Sequence, residues 1–142
     1  MRISNFENKK CYSIGNEHDL QIEVVKLLRK SGLLFSCSHT AEMLDTNAKR
    51  IDAKKNGYTI GMPDILVYSA KSTFSGMAIE LKTPWATGDL SSHQKKVMDE
   101  LEANNWLIIV SNDLVEIAET ILLYKNNLIE RELVVDEKEL SN

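Results

Sequence analysis

The run Trp106–Ser111 (WLIIVS) constrains the fold most, because five apolar residues stand in a row without a charged neighbour. A strand of this composition is typical of sheets that are covered on both faces. Apolar periodicity predicts a helix on each side of it, over about Ser92–Asn104 and Asp113–Lys125. The chain is therefore expected to be an α/β protein.

The first half of the chain adds further predicted elements. A helix is predicted from Glu17 to about Lys30, with Asn16 as its N-cap and Gly32 at its end. A strand follows over 33–40. Residues 41–60 contain few apolar side chains and are interpreted mostly as a loop that could hold a short helix.

Two more strands, Asp64–Ser69 and Gly76–Lys82, are joined by a short polar stretch that suits a hairpin. The resulting order is α-β-β-β-α-β-α, which favours a central mixed β-sheet flanked by helices. The chain has 142 residues, a usual size for one domain. We predict an N-terminal arm over 1–15, the domain over 16–125 and an acidic C-terminal tail over 126–142.

Composition excludes several classes of protein. The net charge of −4 means that nucleic acid could bind only at a local basic patch or through a metal ion. Cys11 and Cys37 lack the spacing of a zinc site. No stretch approaches the roughly 18 apolar residues of a membrane span, and the N-terminus lacks the apolar core of a signal peptide. A cytoplasmic or nucleoplasmic protein without membrane contact is expected.

Three charged side chains are predicted to converge on the hairpin. Glu80 and Lys82 are two residues apart on one strand and so point to the same face. Asp64 and Glu80 are equidistant from residue 72, the predicted hairpin centre, which would place them opposite each other, about 5 Å apart at Cβ. Two carboxylates this close favour a divalent cation, and oxygen ligands suit Mg²⁺ or Mn²⁺. The alternative is a cross-strand salt bridge on an exposed sheet face.

The strings GMPDILVYS, AIELKTP and LSSHQ together resemble the PD-(D/E)XK nuclease superfamily, and more narrowly the VRR-NUC family. Glu17 and Gln21 also look like the family's N-terminal motif, so the resemblance covers about 16–125. It implies a restriction endonuclease-like fold. The positions that carry the three strings are Gly61, Pro63, Asp64, Glu80, Lys82 and Gln94.

The resemblance also implies roles. Asp64, Glu80 and the backbone carbonyl of Leu81 would bind the metal, and Lys82 would position or activate the water. Glu17 would add a third acid, and Gln94 would line the site.

Two of these roles have alternatives. Asp19 and Glu23 are rival acids on the same helix, and Glu17 itself suits the dipole at a helix start. Gln94 also fits a capping box with Ser91, a role that is compatible with lining the site.

Four basic residues precede Asp64 and could hold phosphates near the metal: Lys49, Arg50, Lys54 and Lys55. The alternative is a solvated loop whose charge is offset by nearby acids.

The expected function is metal-dependent DNA endonuclease activity, structure-selective for a junction, branch or flap. The alternatives are a non-catalytic DNA-binding or assembly subunit with the same fold, and a structural protein with a chance Glu-x-Lys ladder. A homodimer is also expected, because the apolar run Ile121–Tyr124 exceeds what one buried helix stripe needs and similar small nucleases are often dimers. The tail adds further apolar residues to this surface: Leu128, Ile129, Leu133, Val134 and Val135. The alternative is that the tail folds back on its own domain.

Overall fold

The computed structural model describes residues 1–4, 16–38, 43–83 and 90–129. Over these stretches the chain forms, in order, β1 (Arg2–Ser4), α1 (Glu17–Ser31), β2 (Phe35–Cys37), α2 (Asn47–Lys55), β3 (Ile65–Val67), β4 (Gly76–Leu81), α3 (Ser92–Ala103), β5 (Trp106–Ser111) and α4 (Leu114–Lys125). Within this described part, no helix has the length and apolar character needed to cross a membrane.

The five strands form one mixed sheet in the order β1-β5-β4-β3-β2. The pairs β1–β5 and β4–β5 are parallel, whereas β2–β3 and β3–β4 are antiparallel. Helices α1 and α4 pack together on one face, and α3 packs against β5 on the other. The predicted α/β fold with a mixed, helix-flanked sheet is therefore confirmed.

Strand β4 is buried on both faces, and alternate residues serve different layers. Met77, Ile79 and Leu81 belong to the core under α1 and α4. Ala78 lies in the smaller core under α3. Because side chains alternate along a strand, Glu80 is expected on the α3 side, and its contact with α3 described below agrees.

Helix ends agree closely with the sequence predictions, because their signals are local. Asn16 accepts a hydrogen bond from the Asp19 N–H at 2.7 Å, and Gly32 ends α1 with φ of 74°. Ser91 and Gln94 form the predicted capping box at the start of α3. Strand β5 spans the predicted residues, whereas β2 and β3 are shorter than predicted.

Two elements differ from the prediction. Arg2–Ser4, assigned to an irregular arm, pairs in parallel with β5. The Arg2 guanidinium contacts Asp99 and Glu102 of α3. Such pairing depends on distant partners that three residues cannot signal. Helix α2 has no buried side chain and so shows no apolar stripe.

The predicted tail begins too early. Asn127 accepts a hydrogen bond from the Ser72 N–H at 2.6 Å, and Ile129 is buried in the core. The first residues after α4 therefore pack on their own domain. The rest of the predicted tail, 130–142, and most of the predicted arm, 5–15, lie outside the described residues.

Candidate active site

Asp64 and Glu80 occupy facing positions at the open end of the β3–β4 hairpin. Ile65 pairs with Ile79 in the observed register, and the next residues outward are Asp64 and Glu80. This is the register predicted from the symmetry of the hairpin. The hairpin thus brings two carboxylates to adjacent strands.

Pro63 explains why the strands separate at this point. The Asp64 carbonyl accepts a hydrogen bond from the Ser38 N–H, so the backbone groups of Asp64 point towards β2. Because these directions alternate along a strand, the backbone groups of Pro63 and Ile65 point towards β4. The next pair in the ladder would join Pro63 to Leu81, but proline has no N–H. The Leu81 N–H donates instead to Asp64 Oδ2 at 2.7 Å. The Leu81 carbonyl therefore lacks the N–H partner that a residue other than proline would offer at position 63.

Glu80 is a deeply buried carboxylate, only 3% exposed. Its Oε1 accepts from Gln94 Nε2 at 2.7 Å, and its buried Oε2 has no hydrogen-bond partner in the described part of the protein. Burial, followed by repulsion from the Asp64 carboxylate, raises the pKa of Glu80 to about 8, although the charge of Lys82 opposes the rise. A buried acid with an unsatisfied oxygen is a position that a cation would stabilise.

Lys82 supplies the positive charge of the cluster. Its ammonium lies 3.9 Å from Glu80 Oε1, and the residue is 8% exposed. Its backbone N–H donates to the Ser111 carbonyl, which continues the β4–β5 ladder beyond the end of the strand. The sheet therefore fixes the direction of Lys82 from its backbone.

Among the three candidate acids of α1, Glu17 is the one whose pKa is affected by Asp64 and Lys82. Its pKa is raised by burial and by the Asp64 carboxylate, and Lys82 opposes the rise. Glu23 instead forms an exposed ion pair with Lys26 at 2.8 Å, and Asp19 is exposed in the first turn. The geometry thus favours Glu17 over its rivals as the third acid.

Asp64 resembles Glu80 in its electrostatics. Its pKa is raised by burial, although the hydrogen bond from Leu81 and the charge of Lys82 pull it down. Glu17, Asp64 and Glu80 therefore all have raised pKa values in one region. Such clustering of perturbed acids is typical of functional sites.

Gln94 fills both roles that the sequence left open. Its Oε1 accepts from the Ser91 N–H at 2.9 Å, and its Nε2 donates to Glu80 at 2.7 Å. The capping box fixes the amide so that its remaining group must point at the carboxylate. Gln94 therefore links the start of α3 to β4.

Gly61 has a role that sequence reasoning missed. It has φ of +89°, and a Cβ at this position would lie 2.5 Å from the backbone carbon of His93 and 2.8 Å from the Gln94 nitrogen. The chain before Asp64 thus packs directly on the first turn of α3. The sequence signal that could have indicated this close packing was the glycine itself, which stands two residues before the proline in GMPD.

Cys37 is a second neighbour that was not predicted. Cys37 is exposed overall. Partial burial nevertheless raises the pKa of its thiol, Gln21 lowers it, and the Asp64 carboxylate raises it. The end of β2 therefore lies near Asp64.

The four basic candidates are not all available to phosphates. Lys49 pairs with Asp45 at 2.8 Å, and Arg50 donates to the Leu44 carbonyl and to Asn47. The remaining two, Lys54 and Lys55, lie exposed in the last turn of α2. None of the four forms an ion pair with Glu17, Asp64 or Glu80.

The donor set suits a hard divalent cation. In the described stretches, no three His, Cys, Asp or Glu side chains lie close enough to form a metal-binding group. Mg²⁺, however, is commonly held by one or two carboxylates with the remaining positions left to water and phosphate. Asp64 and the unsatisfied oxygen of Glu80 fit that pattern.

Comparison with known proteins gives a consistent result. The VRR-NUC domain model matches residues 6–112. A solved structure described as a VRR_NUC domain protein superposes with a TM-score of 0.63 at 16% identity, covering 80% of this chain and 90% of that one. No curated protein matches the sequence. Because the family model covers most of the chain and the fold agrees with it, this protein belongs to the VRR-NUC family, whose domain is generally a nuclease domain.

Proposed function

We propose that this protein is an Mg²⁺- or Mn²⁺-dependent DNA endonuclease. The observation that carries the proposal is the unsatisfied Oε2 of Glu80, buried in the strand position that faces Asp64. Asp64, Glu80 and the carbonyl of Leu81 would hold the metal. The bound ion would polarise a phosphodiester oxygen and lower the pKa of an attacking water.

The side chains of the site divide the remaining work. The Lys82 ammonium is placed to orient the water and to neutralise charge that develops on the phosphate. Glu17 would contribute further negative charge near Asp64. Gln94 holds the Glu80 carboxylate in one orientation through its hydrogen bond. As the resemblance implies, the water oxygen would bond to phosphorus, the bond to the 3′ oxygen would break, and a 5′-phosphate would remain.

The proposed substrate is a branched or otherwise structured DNA, such as a junction or flap. The described part of the chain consists of one sheet with its helices and shows no added module for reading base sequence. Recognition by DNA shape suits such a scaffold.

We expect purified protein to cut at least one member of a panel of branched, flapped, single-stranded and duplex DNAs in Mn²⁺. Ca²⁺ should permit binding with little cleavage, because its looser coordination positions and acidifies water less well. Gel analysis of end-labelled substrates measures both. Binding without cleavage in Mn²⁺ and Mg²⁺ would instead favour a non-catalytic DNA-binding subunit, and activity in excess EDTA would contradict metal dependence.

We further propose a homodimer that pairs two single-strand sites. The surface of α4 and the residues after it is apolar yet exposed: Val115 and Leu122 are each 61% exposed, and Leu128 is 64% exposed. Contiguous exposed apolar side chains mark interfaces. Light scattering coupled to size exclusion should give twice the 16.1 kDa chain mass. Leu122→Lys should shift the mass to a monomer, whereas a wild-type monomer at tens of micromolar would refute the dimer.

A further inference from the structure

A groove runs between α2 and the first half of α3, and Glu17, Asp64 and Glu80 do not line it. It consists of two adjoining depressions of about 420 and 310 Å³, which share Lys54, Tyr58 and Ile60. His93 and Lys96 of α3 line its far side. We call it the α2–α3 groove. Its volume is in the range of pockets that hold small-molecule-sized groups.

The floor of the groove is apolar and open to solvent. Ile51 is 58% exposed and Ile60 is 54% exposed, and both line the larger depression. Helix α2 buries no side chain. The exposed apolar surface is therefore not part of the core of the domain, and it is available to a ligand.

The walls of the groove are basic in a protein that is acidic overall. Arg50, Lys54 and Lys96 line the groove, although the whole chain has a net charge of −4. Lys54 and Lys96 flank the floor, and neither forms an ion pair within the described residues. Glu100 is the acid that lines the groove. This charge pattern complements a polyanion rather than an apolar protein helix.

The groove leads into the candidate active site. Ile60 on its floor precedes Gly61, whose backbone packs on His93 and Gln94. Gln94 then donates to Glu80. A chain lying in the groove would therefore approach the acids along the first turn of α3.

We infer that the α2–α3 groove binds an unpaired, single-stranded segment of the nucleic acid substrate; this inference rests on the nuclease function proposed above. Phosphates lie against Lys54 and Lys96, and bases or sugars pack on Ile51 and Ile60. Single strands expose the apolar faces of their bases, whereas a duplex presents sugars and phosphates. The apolar floor between two lysines therefore selects an unpaired strand, such as the arm of a flap.

The test measures binding in EDTA, so that it does not depend on cleavage. Fluorescence anisotropy compares a labelled oligothymidylate with a duplex of equal length for wild type and Lys54→Glu/Lys96→Glu. The double variant should bind the single strand at least about tenfold more weakly, and the slope of log K against log salt should fall by about 1.4, as for two lost phosphate contacts. Duplex binding should change less than about threefold.

A matched control is Lys26→Glu/Lys30→Glu, which makes the same charge change on two exposed residues of α1, across the sheet from the groove and outside the dimer surface proposed on α4. It should leave single-strand binding within about threefold of wild type. Ile60→Ser should weaken single-strand binding several-fold with no change in the salt slope. Equal losses in the two double variants, equal losses on duplex, or no single-strand binding by wild type would overturn the inference. Normal binding with no cleavage in Mn²⁺ would overturn the proposed function alone.

Discussion

Glu80→Gln should reduce metal-dependent cleavage by about a thousandfold or more. The substitution retains the size of the side chain and the oxygen that accepts from Gln94. It replaces the unsatisfied Oε2, the atom proposed to bind the metal, with an amide that cannot. Binding of Mn²⁺, followed by calorimetry, should weaken in parallel.

The same variant should be more stable than wild type in the absence of metal at alkaline pH. The pKa of Glu80 is about 8 in the folded protein against 4.5 for the ordinary side chain. Between these values the folded state holds a proton that the unfolded state has lost, so the stability of the wild type falls as pH rises from about 4.5 to 8. The full difference is on the order of 5 kcal/mol, because the two pKa values differ by about 3.5 units and each unit corresponds to about 1.4 kcal/mol.

Urea unfolding in EDTA at several pH values measures this effect. Glu80→Gln and wild type should be close in stability at pH 4, and the variant should become relatively more stable up to pH 8. Some slope should remain, since burial also raises the pKa values of Asp64 and Glu17. Glu23→Gln, which changes a partly exposed carboxylate of α1, is the control and should change neither property appreciably, because the surface pair of Glu23 with Lys26 contributes little. Wild-type cleavage by Glu80→Gln would exclude the proposed metal site.

The sequence predicted the parts of the site that depend on neighbours along the chain. The pairing of Asp64 with Glu80 followed from the symmetry of one short hairpin, whose register the structure confirms. The caps at Asn16 and Ser91 followed from side chains that bond within a few residues. Both kinds of prediction need only strand and helix periodicity.

What the sequence could not predict depends on contacts between distant segments. The choice of Glu17 over Asp19 and Glu23 required knowing which turn of α1 lies beside Asp64. The contact of Gly61 with α3 joins residues more than thirty positions apart. Helix α2 was uncertain because a helix that buries nothing has no apolar period to reveal it.

Gly61→Ala should destabilise the protein by about 2–4 kcal/mol and lower cleavage at least about tenfold even where the variant is folded. The new Cβ would lie 2.6 Å from the His93 carbonyl oxygen and 2.8 Å from the Gln94 nitrogen, both of them backbone atoms. Backbone cannot rotate away as a side chain can, so the start of α3 must move. Gln94 would move with it, and its hydrogen bond to Glu80 would be lost.

Gly57→Ala separates this clash from backbone strain. Gly57 has φ of +95°, close to the +89° of Gly61, but a Cβ there would meet nothing within 4 Å. Its alanine variant should therefore lose only the strain contribution, about 1–2 kcal/mol, and keep cleavage within about threefold of wild type. Thermal unfolding gives the stabilities, and cleavage is compared well below both unfolding temperatures. If the two alanine variants lose equal stability and equal activity, the packing of Gly61 on α3 does not position Gln94.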